Sequence, residues 1–189
     1  MVNGIAKNEI DVLLANSLKE LAKTKPIEKI TIKEITDKAG VIRPTFYNHF
    51  QDKFDLLEWI IITDLLVPIY PLIKAGMITE AMLLLFTNLQ NQGDFYKRAV
   101  KIEGPVTFHD VDMKCVTRML KEILEESSQG KASKHKWLSA DVVATYYAQS
   151  MCFAAEKWVS QGMPYTPQEM ADAYYHIITH SMEDIIEEL

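Results

Sequence analysis

The stretch that most constrains this chain is 31–54, in which a tight turn joins two short helical patterns. Thr31 and Glu34 have the spacing of a capping box, where each side chain satisfies a free backbone N–H at a helix start. Gly40 follows the apolar stripe of this first pattern, as expected of a residue that ends a helix with positive φ. The stretch therefore predicts a helix, a turn at Gly40 and a second helix that begins near Arg43.

The second of these helices carries an unusual outer surface. Phe46 and Phe50 are four residues apart, so they share its inner face and leave cationic, hydrogen-bonding and aromatic side chains outside. A short helix of this kind suits entry into the DNA major groove with its N-terminal residues leading. We expect base contacts at its start and phosphate contacts around it. The predicted DNA-binding residues are Thr31, Arg43, Pro44, Thr45, Tyr47, Asn48, His49 and Lys53.

The charge distribution agrees with this prediction but is weak evidence for it. The chain of 189 residues has a formal net charge of −6, which is unusual for a DNA-binding protein. Residues 1–55 hold nine basic and eight acidic side chains and carry +1, while residues 56–189 carry −7. An acidic C-terminal part repels DNA, whereas the N-terminal part does not.

The run A-G-V-x-x-x-T-F-Y-N-H-F-x-D-K-F-D-L-L, from Ala39 to Leu57, resembles the DNA-binding signature of TetR-type transcriptional regulators. The resemblance covers about residues 8–60. It departs at Ile42, where the family usually has serine or threonine, and a missing N-cap costs about 1 kcal/mol of local helix stability. The segment Asn91–Tyr96 and the helix order are similar to a Gram-positive subgroup that includes regulators of dihydroxyacetone-kinase genes.

The rest of the chain reads as helices, with no alternating strand pattern and no internal repeat. We predict an all-α protein of about nine helices, including a helix over 54–67 that ends at Pro68 and two long helices over 139–161 and 166–188. The resemblance implies a helix-turn-helix domain over 1–53 and an effector-binding and dimerisation domain over 54–189. It also implies a homodimer through the last two helices, where small residues at Ala144, Ala148 and Ala155 favour close helix approach. A dimer calls for a near-palindromic operator on double-stranded DNA.

The C-terminal half has the aromatic and methionine content of either a core or a ligand cavity, and composition does not separate the two. We expect a small, largely apolar or neutral effector rather than a polyphosphate or a metal. The nearest chargeable groups are His109 and Glu103. The predicted ligand-binding residues are Ile62, Leu66, Met82, Phe86, Tyr96, Phe108, Tyr147 and Met151.

Other functions find less support in the sequence. His176 and His180 have the spacing of a one-helix metal pair, but without H-E-x-x-H we expect no metal, no cofactor and no enzyme. Two isolated cysteines, no signal-peptide core and no run of about 18 apolar residues favour a soluble, cytoplasmic protein without a membrane partner. The alternative of a different class is a co-regulator that keeps the fold but acts through another protein, which Ile42 and the weak positive charge favour.

Overall fold

The computed structural model describes residues 8–128 and 133–188, and these are helical apart from their connections. They form ten continuous helices and one 3₁₀ turn, so the predicted all-α class is confirmed. The elements are α1 Glu9–Ala22, a 3₁₀ turn Ile27–Lys29, α2 Ile32–Ala39, α3 Arg43–His49, α4 Lys53–Ile61, a π turn Ile62–Leu66, α5 Val67–Lys74, α6 Ile78–Asn91, α7 Gly93–Ala99, α8 Phe108–Ser128, α9 Ala140–Ser160, α10 Pro167–Thr179 and α11 Met182–Glu188.

Helices α1, α2 and α3 form an N-terminal unit with its own buried centre. Leu14 and Leu18 from α1 pack there with Ile35 of α2 and Phe46 of α3, and all four are fully buried. The capping box of Thr31 is present at the start of α2, and Gly40 ends that helix with φ 70°. Both local predictions are confirmed, and together they fix the turn that presents α3.

The helix after this unit is longer than the sequence predicted. Helix α4, the π turn and α5 run without a break from Lys53 to Lys74 and are here called the connecting helix. The prediction that Pro68 ends it is wrong. Pro68 has no N–H for the carbonyl of Asp64 four residues earlier, and the side-chain amide of Asn88 donates to that carbonyl instead, at 3.1 Å. The predicted domain boundary after Lys53 falls at the start of this helix and stays a prediction.

The connecting helix is also the one helix, among the residues that the structure describes, that is long and apolar enough to cross a membrane. More than half of its most apolar window (56%) is buried against the rest of the protein. Leu56, Leu57, Ile60 and Ile61 are completely covered. Such burial is expected of a central core helix, and it explains why the connecting helix is so apolar.

The C-terminal unit consists of α6 to α11, with its closest packing between α8 and α9 and between α6 and α10. Ala144 and Ala148 are fully buried and Ala155 is nearly so. The prediction that this small-residue stripe serves close approach between two protomers is therefore wrong. The stripe lies inside one protomer, where it permits the close packing of α9 on its own neighbours.

The predicted final helix over 166–188 is interrupted. Helix α10 ends at Thr179, His180 has extended backbone angles (φ −110°, ψ 152°), and α11 begins at Met182. Ser181 accounts for the restart, since its hydroxyl accepts from the backbone N–H of Asp184 and donates to the Asp184 carboxylate. No residue of α11 is buried, so this helix packs little against its own protomer.

Candidate DNA-binding surface and ligand cavities

Two aromatic side chains hold α3 in place and leave its other faces free. Phe46 is fully buried, and its ring centroid lies 5.9 Å from that of Phe50. Phe50 in turn contacts Trp59 of the connecting helix edge-on, at 6.3 Å between centroids. The recognition helix is thus fixed both to the N-terminal unit and to the helix that leads into the C-terminal unit.

The start of α3 is polar and exposed. Arg43, Pro44, Tyr47 and Asn48 are exposed, and Thr45 is half-buried. The Arg43 guanidinium lies 3.4 Å from the Tyr47 hydroxyl, which keeps both side chains on one side of the helix. Pro44 sits in the first turn, where its missing N–H has no partner to lose. These residues form a rigid hydrogen-bonding surface at the leading end of α3.

The cap of α3 is missing, as the sequence indicated. Ile42 occupies the N-cap position without a side-chain hydrogen bond, and it is 69% exposed. Thr31 lies at the neighbouring start of α2. Its hydroxyl donates to the Glu34 carboxylate at 2.8 Å.

The last two predicted DNA-binding residues have partners within the protein. His49 Nδ1 lies 2.7 Å from an oxygen of Asp11 on α1. The Lys53 ammonium donates to the backbone carbonyls of Ile27 (3.1 Å), Ile30 (3.0 Å) and Glu28 around the 3₁₀ turn. Burial lowers the pKa of Lys53. Both side chains therefore hold the N-terminal unit together, which the sequence did not indicate.

Two ionic clusters join this unit and the connecting helix to the rest of the protein. Lys19 of α1 forms an ion pair with Asp64 in the π turn. Glu58 of the connecting helix binds Lys114 at 2.6 Å and Arg118 at 2.9 Å, both on α8. The acidic partners, Asp64 and Glu58, both lie on the connecting helix. Their ion pairs therefore fix the position of that helix relative to both units.

A groove of about 480 Å³ opens between α5, α6, α8, α9 and α10. Fourteen of the residues that the structure describes line this groove, and none of them is charged. Its polar groups are the hydroxyls of Tyr147, Tyr174, Tyr175 and Thr179. Three predicted ligand-binding residues line it: Met82, Tyr147 and Met151. The volume lies within the range of about 300–1,000 Å³ that is usual for small-molecule sites.

A second, smaller cavity lies between the π turn and helices α6 to α9. Its free volume is about 20 Å³, which is room for about one water molecule. Four predicted ligand-binding residues line it: Leu66, Tyr96, Phe108 and Met151. Ile62 and Phe86 line neither space; both are buried, and the Phe86 ring contacts Trp158 edge-on at 5.3 Å.

One wall of the smaller cavity is polar, which was not predicted from the sequence. Asp112 of α8 is buried beside Cys152 of α9, and burial raises the pKa of the Asp112 carboxyl to about 7 although the Cys152 thiol donates to it. Glu156 follows one turn after Cys152 and accepts from His109 at 3.0 Å. Glu103, the other chargeable candidate, is exposed and lines neither space. From the sequence alone, only the i, i+4 spacing of Cys152 and Glu156 could be recognised.

Large apolar side chains remain exposed on the last three helices. Phe153 on α9 is 68% exposed and Met182 on α11 is 79% exposed. Where such side chains adjoin, exposed apolar surface marks an interaction site in a soluble protein. The exposed apolar face, as the term is used below, consists of Tyr146, Phe153, Ile177, Met182 and Ile186.

Comparison with known families gives two matches along the chain. Residues 16–60 match the family of bacterial regulatory proteins of the tetR type, and residues 77–180 match a transcriptional regulator C-terminal region. The second match alone spans more than half of the chain. A curated relative is the HTH-type dhaKLM operon transcriptional activator DhaS of Lactococcus lactis subsp. lactis (strain IL1403). It is 24% identical over 152 residues, which is 79% of each chain. The expected similarity to regulators of dihydroxyacetone-kinase genes is confirmed.

Solved structures agree with this assignment at the level of the fold. The dihydroxyacetone kinase operon activator DhaS superposes with a TM-score of 0.55 at 19% identity, covering 89% of this chain and 93% of that one. The fatty acid degradation regulator FadR from Bacillus halodurans gives 0.59 at 14% identity, covering 94% and 98%. NalD of Pseudomonas aeruginosa, a secondary repressor of a multidrug efflux pump, gives 0.58 at 13%, covering 89% and 93%. This chain therefore belongs to the TetR family of bacterial transcriptional regulators, whose members are non-enzymatic DNA-binding proteins that act as dimers.

Proposed function

We propose that this protein is a cytoplasmic, homodimeric repressor that binds a near-palindromic operator through α3 and leaves it when a small effector occupies the open groove. The observation that carries the proposal is the leading end of α3. There a rigid, exposed polar surface is held from behind by Phe46 and Phe50.

The chemistry of this surface suits base readout. Arginine and asparagine make paired hydrogen bonds to guanine and adenine edges, each worth about 1–3 kcal/mol of discrimination. Arg43 and Asn48 are exposed on α3, and Arg43 is steadied by the Tyr47 hydroxyl. One short helix reads few base pairs, so two copies related by a two-fold axis double the site and require half-sites about one helical turn apart, or a multiple.

The test is binding to DNA that flanks the protein's own gene, measured by fluorescence anisotropy against a scrambled duplex. The parent should prefer one flanking site, and Arg43→Ala should lose about 10–100-fold of that preference. Lys33→Ala is the matched control, because Lys33 is an exposed cation on α2 whose partner is Asp37. A parent that binds all sequences alike contradicts the proposal and favours the co-regulator alternative.

The groove supports an effector that is small and largely apolar or neutral. Its lining is uncharged, so a charged ligand meets no counter-ion there, while the tyrosine hydroxyls orient a neutral one. Ile73 of the connecting helix forms part of the wall. A ligand that favours one position of this helix must shift the separation of the two recognition helices, which is the physical basis of release.

Tyr147→Phe tests the groove once an effector has been found by operator release. The change removes one orienting hydroxyl and should raise the effector concentration for half-release about 5–10-fold. Tyr165→Phe is the control, since Tyr165 is an exposed tyrosine that does not line the groove. Ile178→Trp, which fills the groove, should abolish release while leaving operator binding intact. Unchanged release in both groove variants places the effector elsewhere.

Repression is the direction we propose, because a dimer bound across a promoter excludes polymerase without any further contact. The name of the DhaS relative states activation, so whether this protein represses or activates needs its own measurement. A promoter fusion should give higher expression when the gene for this protein is deleted. Lower expression in the deletion strain would show an activator.

A further inference from the structure

Three potential ligand atoms for a cation converge in the smaller cavity. A carboxylate oxygen of Asp112, Sγ of Cys152 and a carboxylate oxygen of Glu156 all lie within 4.8 Å of one another. They come from two helices, so the packing of α8 on α9 builds the cluster. In a tetrahedral zinc site, bonds of about 2.0–2.3 Å place ligand atoms roughly 3.5 Å apart. Small side-chain rotations are enough to close the cluster around one ion.

The lining of the cavity supplies no permanent positive charge to the cluster, since none of its fourteen described residues is a lysine or an arginine. His109 lies outside the lining, is half exposed, and hydrogen-bonds to the Glu156 carboxylate. Burying carboxyl groups together is costly unless they are protonated or share a cation. A bound cation removes this cost.

A separate observation points to an occupant of the same cavity. Tyr96 lines the cavity, and its completely buried hydroxyl has no hydrogen-bond partner among the residues that the structure describes. Buried hydroxyl groups nearly always have a partner, and a water held by an ion provides one. The free volume of about 20 Å³ admits one water but no organic molecule.

We propose that this cavity binds one transition-metal ion of the zinc class through the carboxylates of Asp112 and Glu156 and the thiolate of Cys152. The ion lies among these three ligand atoms, and the one water for which the cavity has room completes the tetrahedron and accepts from Tyr96. A thiolate ligand selects zinc-class ions, whereas Mg²⁺ and Ca²⁺ take six or more oxygen ligands. Binding releases the Cys152 thiol proton, and the Asp112 proton where it is present. The inference goes beyond the proposed function, because it needs neither the operator nor the open groove.

The experiment is a metal titration of the full-length protein, stripped with chelator under reducing conditions. Co²⁺ should bind at one equivalent per chain with a thiolate-to-metal charge-transfer band, Zn²⁺ should displace it, and calorimetry in two buffers should show proton release. Cys152→Ser should lose the band and bind more than about 100-fold more weakly. Cys115→Ser is the matched control, since Cys115 is also buried but lies outside the cluster.

Two milder variants keep the test decisive if Cys152→Ser does not fold. His109→Ala removes a side chain that orients Glu156 and should weaken binding about 10–100-fold with the band preserved. Glu156→Gln should weaken it further. The site is wrong if the folded parent binds no stoichiometric Co²⁺, or if the band survives Cys152→Ser. Operator binding measured on the same samples is a separate result, so a parent that binds cobalt but no operator contradicts only the proposed function.

Discussion

Lys19 of α1 forms an ion pair with Asp64 at the π turn of the connecting helix. Both side chains are mostly buried, at 18% and 17% exposed. The pair lies where the N-terminal unit meets the rest of the protein. It therefore links the surface that carries α3 to the helix whose position an effector is proposed to change.

The first prediction concerns this pair. Lys19→Met leaves the Asp64 carboxylate without its partner in a half-buried place, and should lower the free energy of unfolding by about 1–3 kcal/mol. Lys23→Met is the control, because Lys23 and Glu20 form an exposed pair that water screens, so its loss should change stability little. Denaturant unfolding measures both. Equal effects of the two variants would show that the Lys19–Asp64 pair adds nothing.

The second prediction separates a structural from a DNA-binding role of Lys53. Lys53→Met removes the donor for three carbonyls around the 3₁₀ turn and should cost about 1–3 kcal/mol of stability. The salt dependence of operator affinity should not change. A lysine that neutralises one phosphate would instead lower the slope by about one unit. Stability like that of the parent with a lower slope would assign Lys53 to the phosphates, as first predicted from the sequence.

The third prediction is a pH dependence at the start of α2. The ion pair with Lys25, and then the hydrogen bonds from Thr31, lower the pKa of Glu34 to about 2 from an ordinary value near 4.5. The unfolded state thus binds more protons between these values, so the contribution of Glu34 is complete above about pH 4.5 and is lost as the pH falls toward 2. Glu34→Gln should lower the melting temperature near neutral pH, with a difference from the parent that shrinks on acidification.

Glu169→Gln provides the comparison for that measurement. Glu169 closes a capping box with Thr166 at the start of α10, and these hydrogen bonds alone lower its pKa. Because no lysine contributes to this lowering of the pKa, the effect of Glu169→Gln on the melting temperature should depend less on pH than the effect of Glu34→Gln. Melting followed by circular dichroism from pH 3 to 7 gives both curves. A parent-to-variant difference at Glu34 that stays constant with pH would contradict the assignment.

The fourth prediction concerns the exposed apolar face. We expect it to form the dimer, so Phe153→Glu should give a monomer in light scattering at micromolar concentration, because a charge buried at an interface is costly. Leu13→Glu places the same charge on an exposed apolar side chain of the N-terminal unit and should leave the dimer intact. A dimeric Phe153→Glu protein, or a monomeric parent, would exclude this face.

Features that depend on neighbours along the chain were predictable. The capping box of Thr31, the left-handed Gly40 and the missing cap at Ile42 follow from residue types within one turn, where backbone hydrogen bonding decides the outcome. The inward position of Phe46 and Phe50 follows from their spacing alone. The recognition helix and the exposure of Arg43, Pro44, Tyr47 and Asn48 could therefore be predicted, whereas the contact of His49 with Asp11 could not.

Features that depend on how distant helices pack were not predictable. The partners of His49 and Lys53 lie 38 and up to 26 residues earlier, so the sequence did not indicate that both were engaged. The Asp112 cluster needs the register of α8 against α9, which periodicity does not supply. The alanine stripe of α9 was assigned to the wrong neighbour, because a pattern of small residues shows that something packs closely but not which helix it is.

The π turn at Ile62–Leu66 has a consequence for changes in chain length. A regular helix turns about 100° per residue, so deleting one residue normally swings everything beyond it to a different face. A π turn already contains one residue more than the α-helix needs. Removing Thr63 should restore regular α-helical hydrogen bonds while both flanks keep their phase. The connecting helix can thus lose one residue here without rotating α3 relative to α8. The same deletion within Lys53–Ile61 would cause that rotation.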